Sequence, residues 1–341
     1  MQKIIVLTFD YELFFKKSGT LQNCILKPVD VLLELFKKYQ IKATFFIDVL
    51  YYLRLAENAE TIEDSKLLKD QLQRLVLNGH RIELHLHPHW LDAKYENGYW
   101  LFPTYEHYQL QSLPQEKIND LFISGKQILE DIAQKIDKTY KVIAFRAGGF
   151  NIQPFDKYIE AFKKCNLKID SSVAPGSYNK SKYIHNFDFR NAPRKSYYKF
   201  SNDPIIEDKD GEFLEIPISV YKQSLFDFIY KKIHSKYCTN MKNQNNNKFG
   251  DGEGIDGSNG IQKLFKKICT DSLAFNLEDR YLNCNHQLMI NKINQIKAPF
   301  VNFISHPKSL SQNSITCIKK LANYNFKFMN FEMLFKDFLT K

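Results

Sequence analysis

The sequence predicts an α/β fold with a parallel sheet or a closed barrel at its centre. Three observations point there. Strand-like and helix-like segments alternate along the chain. At 341 residues and 44% hydrophobic content, the chain is long enough for one large domain of barrel size or for two ordinary ones. The residues best suited to chemistry, Asp10, Glu12, His85, Arg146, Asp170 and His306, lie at or just past the ends of predicted strands, where such folds place their sites.

The β-branched run Lys3 to Phe9 predicts the first strand, and Pro28, suited to a first helical turn, opens a helix that runs to about Tyr39. Lys42 to Ile47 reads as the next strand. An apolar helix around Leu67 to Leu77 ends at the C-cap pair Asn78-Gly79, before a strand from Arg81 to His85. Amphipathic patterning covers Pro114 to about Ile136. A strand from Lys141 to Phe145, a helix from about Pro154 to Cys165 and a strand from Leu167 to Asp170 follow. Phe213 to Ile218, Phe300 to Ser305 and Phe326 to Asn330 supply the later strands, ahead of a short C-terminal helix.

Two segments depart from the alternation. Asn97-Gly98, between Lys94-Tyr95-Glu96 and Tyr99-Trp100-Leu101-Phe102, predicts a hairpin, an aromatic flap able to wall a cleft. From about Tyr237 to Gly260 the chain is rich in Asn, Gly and Lys, with too few apolar residues to fold. It reads as a mobile surface loop without a catalytic role, inside a single domain spanning residues 1–341.

The formal net charge of +10 invites an anionic partner. Its distribution argues against nucleic acid. Pairs such as Lys16-Lys17, Lys37-Lys38, Lys163-Lys164 and Lys266-Lys267 fall mostly on predicted helix surfaces or loops, with no nucleic-acid motif beside them. A sugar carrying a nucleotide or lipid phosphate would suit the excess. The six cysteines include no CxxC pair, which argues against a zinc ribbon and a disulfide framework. No apolar stretch of about 18 residues predicts a transmembrane span, and the opening ten residues are too short and too soon acidic for a signal peptide. A cytoplasmic location is expected.

The run Glu83-Leu84-His85-Leu86-His87-Pro88-His89-Trp90 packs three of the nine histidines into five residues. Neutral imidazole is the commonest protein ligand for transition metals. An extended run would set His85, His87 and His89 on one face, and Pro88 forbids a regular helix there. The three are thus equivalent candidates for a metal site at a strand end entering a loop. Asp10 and Glu12, two apart on an extended segment, share a side and can divide metal ligation and base catalysis. For either alone, the other reading is a helix N-cap.

In this order the motifs resemble those of the polysaccharide deacetylases, the NodB-homology group of carbohydrate esterases (family 4-like), over nearly the whole chain. Thr8-Phe9-Asp10 is similar to the family's Thr-Phe-Asp-Asp, with Tyr11 in place of the second Asp. Gly79 to His89 aligns without a gap with the Gly-His-Glu-Ile-Gly leader and its two histidines four apart. Phe145-Arg146-Ala147-Gly148-Gly149 resembles the third motif, with Gly148 where a Pro is usual, and Asp170-Ser171-Ser172 resembles the fourth without its Trp. Ile304-Ser305-His306-Pro307 resembles the fifth, a Leu-x-His.

The resemblance implies a distorted (β/α) barrel of the NodB-homology type. It makes Asp10 the catalytic base, His85 and His89 metal ligands, and Glu12 the displaced third ligand, as in members that separate the two carboxylates by one residue. His87 falls between the ligands, either turned into the pocket or hydrogen-bonded to backbone, and His80 is structural. Arg146 would pair with Asp10, His306 would protonate the leaving group, and Asp170 would partner the catalytic histidine. The implied cofactor is a divalent metal, zinc first. The implied reaction removes an N-acetyl, less readily an O-acetyl, group from a sugar; the expected substrate is an activated or lipid-linked precursor of a surface polysaccharide. Two rivals remain: hydrolysis of another amide, formyl or cyclic, and a non-catalytic sugar-binding protein on the same fold.

Overall fold

The structure, a computed structural model, describes residues 2–182, 184–222, 248–255, 272–278, 282 and 285–339. Strand β1 (Lys3–Tyr11) is buried from Ile4 onward on both faces, as a strand in the middle of a parallel sheet must be. α1 (Lys27–Tyr39) carries Pro28 in its first turn. β2 (Thr44–Asp48) runs straight into α2 (Val49–Glu57), a helix absent from the sequence expectation because Asp48 alone, with no Gly or Pro beside it, separates the two apolar runs. α3 (Ile62–Leu77) starts a turn earlier than expected and stops at Asn78, before β3 (Arg81–Leu86).

β4 (Lys94–Glu96) and β5 (Tyr99–Leu101) form the expected hairpin, with Asn97 and Gly98 both at positive φ. α4 (Gln115–Ala133), β6 (Ala144–Ala147), α5 (Asp156–Lys164) and β7 (Ile169–Asp170) continue the alternation. β8 (Tyr178–Lys180) and β9 (Asn186–Asp188) make a separate hairpin, and β10 (Tyr198–Phe200) lies antiparallel to β11 (Phe213–Glu215). β12 (Val220–Tyr221) pairs with β13 (Leu273–Ala274). α6 (His286–Gln295), β14 (Phe300–Ser305), α7 (Gln312–Ala322), β15 (Phe326–Phe328) and α8 (Phe331–Leu334) complete the described elements.

The central sheet runs β10-β11-β7-β6-β3-β2-β1-β14, with β15 also on β1, and apart from β10–β11 its pairings are parallel. Between β14 and β11 the ring is closed without a strand ladder. Asn302 of β14 exchanges bonds with Ser219, through Ser219 N to Asn302 O (2.9 Å) and Asn302 N to Ser219 Oγ (2.9 Å). Its amide nitrogen also donates to the carbonyls of Ile216 and Pro217, both at 3.2 Å. This is a distorted (β/α) barrel. Ile4, Val6, Phe46, Ala144, Ile169 and Phe300 fill its interior, and a larger aromatic and aliphatic layer lies outside under the helices.

Of the polar stretch at 237–260, residues 237–247 and 256–260 lie outside the described residues. Residues 248–255 are held by polar contacts to the loop after β1. Glu253 pairs by backbone with Lys16 and Lys17, and the Asp251 carboxylate accepts from Thr20 N (2.8 Å), Thr20 Oγ1 (2.9 Å) and Asn23 Nδ2 (2.7 Å). Cys24, Cys165 and Cys317 are buried and free. Among the described residues, no helix is long and apolar enough to cross a membrane.

Candidate active site

Register puts the chemistry inside the barrel mouth. In parallel neighbours, paired residues point to the same face, so Asp48, His85 and Arg146, aligned across β2, β3 and β6, all face inward. Asp10, at the end of β1, joins them. Its Oδ1 accepts from the Arg146 guanidinium at 2.6 Å, and Arg146, fully buried, also donates to Ser171 O (2.8 Å) and Ser171 Oγ (3.0 Å). Gly148 stands where its backbone meets the end of β3. A Cβ there would fall 2.5 Å from Leu86 O and 2.8 Å from His87 Nδ1, so glycine alone lets the two segments close up.

Glu12, His85 and His87 bring one donor atom each within 4.8 Å of one another. Glu12 Oε2 lies 3.0 Å from His85 Nε2 and 2.6 Å from His87 Nε2, and all three side chains are buried. This set fits a divalent metal ion. His85 Nδ1 sits 2.7 Å from the Arg146 carbonyl, which can only accept, so Nδ1 carries the proton and a neutral ring turns its lone pair toward the Glu12 carboxylate. Two acceptors 3.0 Å apart call for a cation between them or a second proton on the ring. A histidine whose outer nitrogen is tied to a backbone carbonyl is the usual metal-ligating arrangement. Two imidazoles and a carboxylate suit zinc and other divalent first-row ions.

The charges follow the same geometry. Burial would raise the pKa of Glu12, but Lys308 and the two histidines hold it well below the usual carboxylate range. Burial pushes His87 down to about 4, leaving it neutral, while the Glu12 bond and the charges of Asp10, Glu12 and Asp48 outweigh burial at His85 and raise it. Asp48, at the end of β2, is lifted by burial to about 7 and accepts from Trp90 Nε1 at 2.6 Å. It obeys the strand-end rule that marked the other site residues, and that rule was the signal for it.

Across the cleft, His306 turns Nε2 to within 3.7 Å of both Asp10 Oδ2 and Glu12 Oε1. Its Nδ1 lies 2.8 Å from Glu278 Oε1, which also accepts from the His306 backbone N. Burial works against the charged ring, but Glu278, then Glu12 and Asp10, raise it to about 9. Lys308 donates to Glu12 Oε1 (2.8 Å) and Leu13 O (2.5 Å). Neither Glu278 nor Lys308 stood out in the sequence. Lys308 follows His306 by two residues, which was its only signal, and Glu278 had none. Phe14, Phe15, Tyr108, Phe150, His185, Gly254 and Ile255 line the rest of a cleft of about 260 Å³, so the polar segment at 248–255 contributes to its wall.

The structure brings together Asp10, Glu12, His85, Arg146 and His306. Two expected residues stand apart. His89 lies past β3 in the short turn Pro88–Asp92, which rotates it off the strand face. Its ring stacks on Tyr108 (4.8 Å) and meets Phe102 (4.7 Å), and neither of its nitrogens has a hydrogen-bond partner among the described residues. His87 holds the place beside Glu12 instead. Asp170 pairs in register with Phe145 and Glu215, and Phe145 packs outward on Phe122 of α4 and Phe162 of α5. Asp170 therefore faces the helix layer, bound to Ser172 Oγ (2.7 Å) and Ser172 N (3.1 Å), and Glu278 takes the place beside His306. Burial raises both Asp170 and Glu215, the latter further because Asp170 is its neighbour.

A barrel with carboxylates and histidines converging at the carboxyl ends of its strands defines the class of this chain: an α/β barrel protein with a candidate metal centre. Residues 1–168 match the sequence model of the polysaccharide deacetylases, so this part of the chain is similar to that family. No curated protein matches the chain. Among solved structures, it is similar to a protein from Mycobacterium smegmatis assigned to the polysaccharide deacetylases, at 11% identity and a TM-score of 0.51, covering 99% of this chain and 91% of that one. The 4-α-glucanotransferase of Thermococcus litoralis (11% identity, TM-score 0.48, 99% of this chain and 41% of that one) and the PuuE allantoinase (10%, 0.48, 99% and 92%) also align. At these identities the first likeness speaks for the fold alone.

Proposed function

We propose that this chain is a metal-dependent hydrolase that removes an N-acetyl, or less readily an O-acetyl, group from a sugar. The observation that carries the reading is the convergence of Asp10, His306 and the Glu12–His85–His87 donors on one cleft. A divalent ion held by Glu12, His85 and His87, zinc first, would supply Lewis acidity, lowering the pKa of water and polarising the acyl oxygen. Asp10 takes the proton of the attacking water, with Arg146 fixing its carboxylate and compensating its charge. As the carbon–nitrogen bond breaks, His306 Nε2 gives its proton to the departing amine. Glu278 positions that ring through Nδ1 and keeps it protonated. Phe14, Phe15 and Phe150 supply apolar faces against which a sugar ring can pack.

The cleft of about 260 Å³ has room for a sugar unit, and the substrate proposed for it is an activated or lipid-linked precursor. The test is acid release from N-acetylated sugars and sugar nucleotides by zinc-loaded protein, beside Asp10→Asn. Acetate from the wild type and none from the variant supports the reading. Formate or another acid from the corresponding amides moves the chain to a different amide hydrolase; sugar binding without turnover makes it a binding protein.

A further inference from the structure

We propose that Lys308 is a positioning residue of the metal centre: by holding Oε1 of Glu12 it leaves Oε2 alone to face His85 and His87, making Glu12 a one-oxygen ligand. The inference rests on the metal centre read above and adds a residue to it.

Strand geometry explains why such a clamp is needed. Tyr11 occupies the position next to Asp10, but alternation along β1 turns it outward, where its hydroxyl bonds Gln71 on α3 at 2.5 Å. The carboxylate near the histidines comes instead from Glu12, past the end of the strand and with one more rotatable bond than an aspartate. Its freedom must be removed before it can serve as a fixed ligand. His85 and His87 engage Oε2; Lys308 engages Oε1, which no described donor other than Lys308 approaches within hydrogen-bond distance.

Lys308 is itself fixed. Its ammonium also donates to Leu13 O and lies over the rings of Phe15 (4.6 Å) and Phe14 (5.1 Å). The backbone of Gly250 donates to Lys308 O at 3.2 Å, and a Cβ at Gly250 would fall 2.4 Å from that oxygen, so the 248–255 segment sits directly on the lysine. Lys308 is 7% exposed. The turn Pro307–Ser309 sets His306 and Lys308 on the same carboxylate oxygen, 3.7 and 2.8 Å away, tying the proton donor to the ligand it faces.

The experiment is chelator competition for zinc, and the visible spectrum of the cobalt-substituted protein, on wild type, His85→Ala, Lys308→Met and Lys308→Arg, with folding followed by circular dichroism. Loss of an outer partner of a ligand weakens metal binding by about 10–100-fold. Lys308→Met is expected to show that loss and an altered cobalt spectrum, with Lys308→Arg, which keeps the cation, closer to wild type. If Lys308→Met does not fold, Lys308→Gln, which is shorter and uncharged, carries the same expectation of weakened zinc binding and an altered cobalt spectrum. Wild-type affinity and an unchanged spectrum in folded Lys308→Met or Lys308→Gln would overturn the role of Lys308 while leaving the metal centre intact. No zinc bound by the wild type would overturn the centre itself, and the clamp with it.

Discussion

The two ends of the chain build the site in different ways. Residues before 168 supply Asp10, His85 and Arg146, which strand register aims inward, and Glu12 and His87, each one residue past the end of such a strand. Residues after it supply Glu278, His306 and Lys308, of which only His306 ends a comparable strand. The first group is set by position at or just past a strand end, the second by side-chain contacts outside the strand ladder, Glu278 to His306 across 28 residues and Lys308 to Glu12 across 296. The part of the site that would bind the metal and the base is thus written in short motifs, and the part that handles the departing proton and the compensating charge depends on how the barrel closes.

That contrast can be broken at its strongest point by removing the proton donor. His306→Ala should lower kcat by about 10²–10⁴-fold while zinc content stays at the wild-type level, because His306 is outside the ligand group. Loss of zinc together with activity would show that the two halves are not separable. A smaller effect is expected from Glu278→Gln. Glu278 raises the pKa of His306, so the ring keeps its proton to higher pH; without that charge the alkaline limb of the kcat profile should move to lower pH, by about 1–3 units. An unmoved limb would reduce Glu278 to a structural contact.

Closure of the barrel is the third point of attack. Asn302→Ala removes the donor to Ile216 and Pro217; Ile216 O keeps Ser171 Oγ at 2.8 Å, but the buried Pro217 carbonyl loses the donor described for it, which should cost about 1–3 kcal/mol in urea unfolding. A loss under about 0.5 kcal/mol would mean that the ring does not depend on this residue. Its activity should fall only as far as its stability does.

The alternation of elements, the hairpin at Asn97-Gly98 and the strand-end placement of Asp10, Glu12, His85, Arg146 and His306 were legible in the sequence because each rests on a local rule: period, turn chemistry, or position after an apolar run. What failed to show has a physical reason in each case. α2 follows β2 with only Asp48 between the two apolar runs and no Gly or Pro. Asp170 ends a strand, as expected, but parity decides which face it takes, and a two-residue strand gives no pattern from which to read parity. The residue after it, Ser171, is the one that reaches Arg146. Glu278 comes from a segment with no periodicity, and the docking of 248–255 rests on polar contacts that hydrophobic patterning does not reveal.

His87 and His89 separate the account from its nearest alternative. An extended run would present both, yet the turn begun by Pro88 sends His89 among aromatic rings and leaves His87 on Glu12. The direct measurement is the zinc stoichiometry of His87→Ala beside His89→Phe, the latter keeping the aromatic packing around position 89. The account predicts that His89→Phe retains one equivalent of zinc and His87→Ala loses it. Retention by His87→Ala with loss by His89→Phe would contradict it.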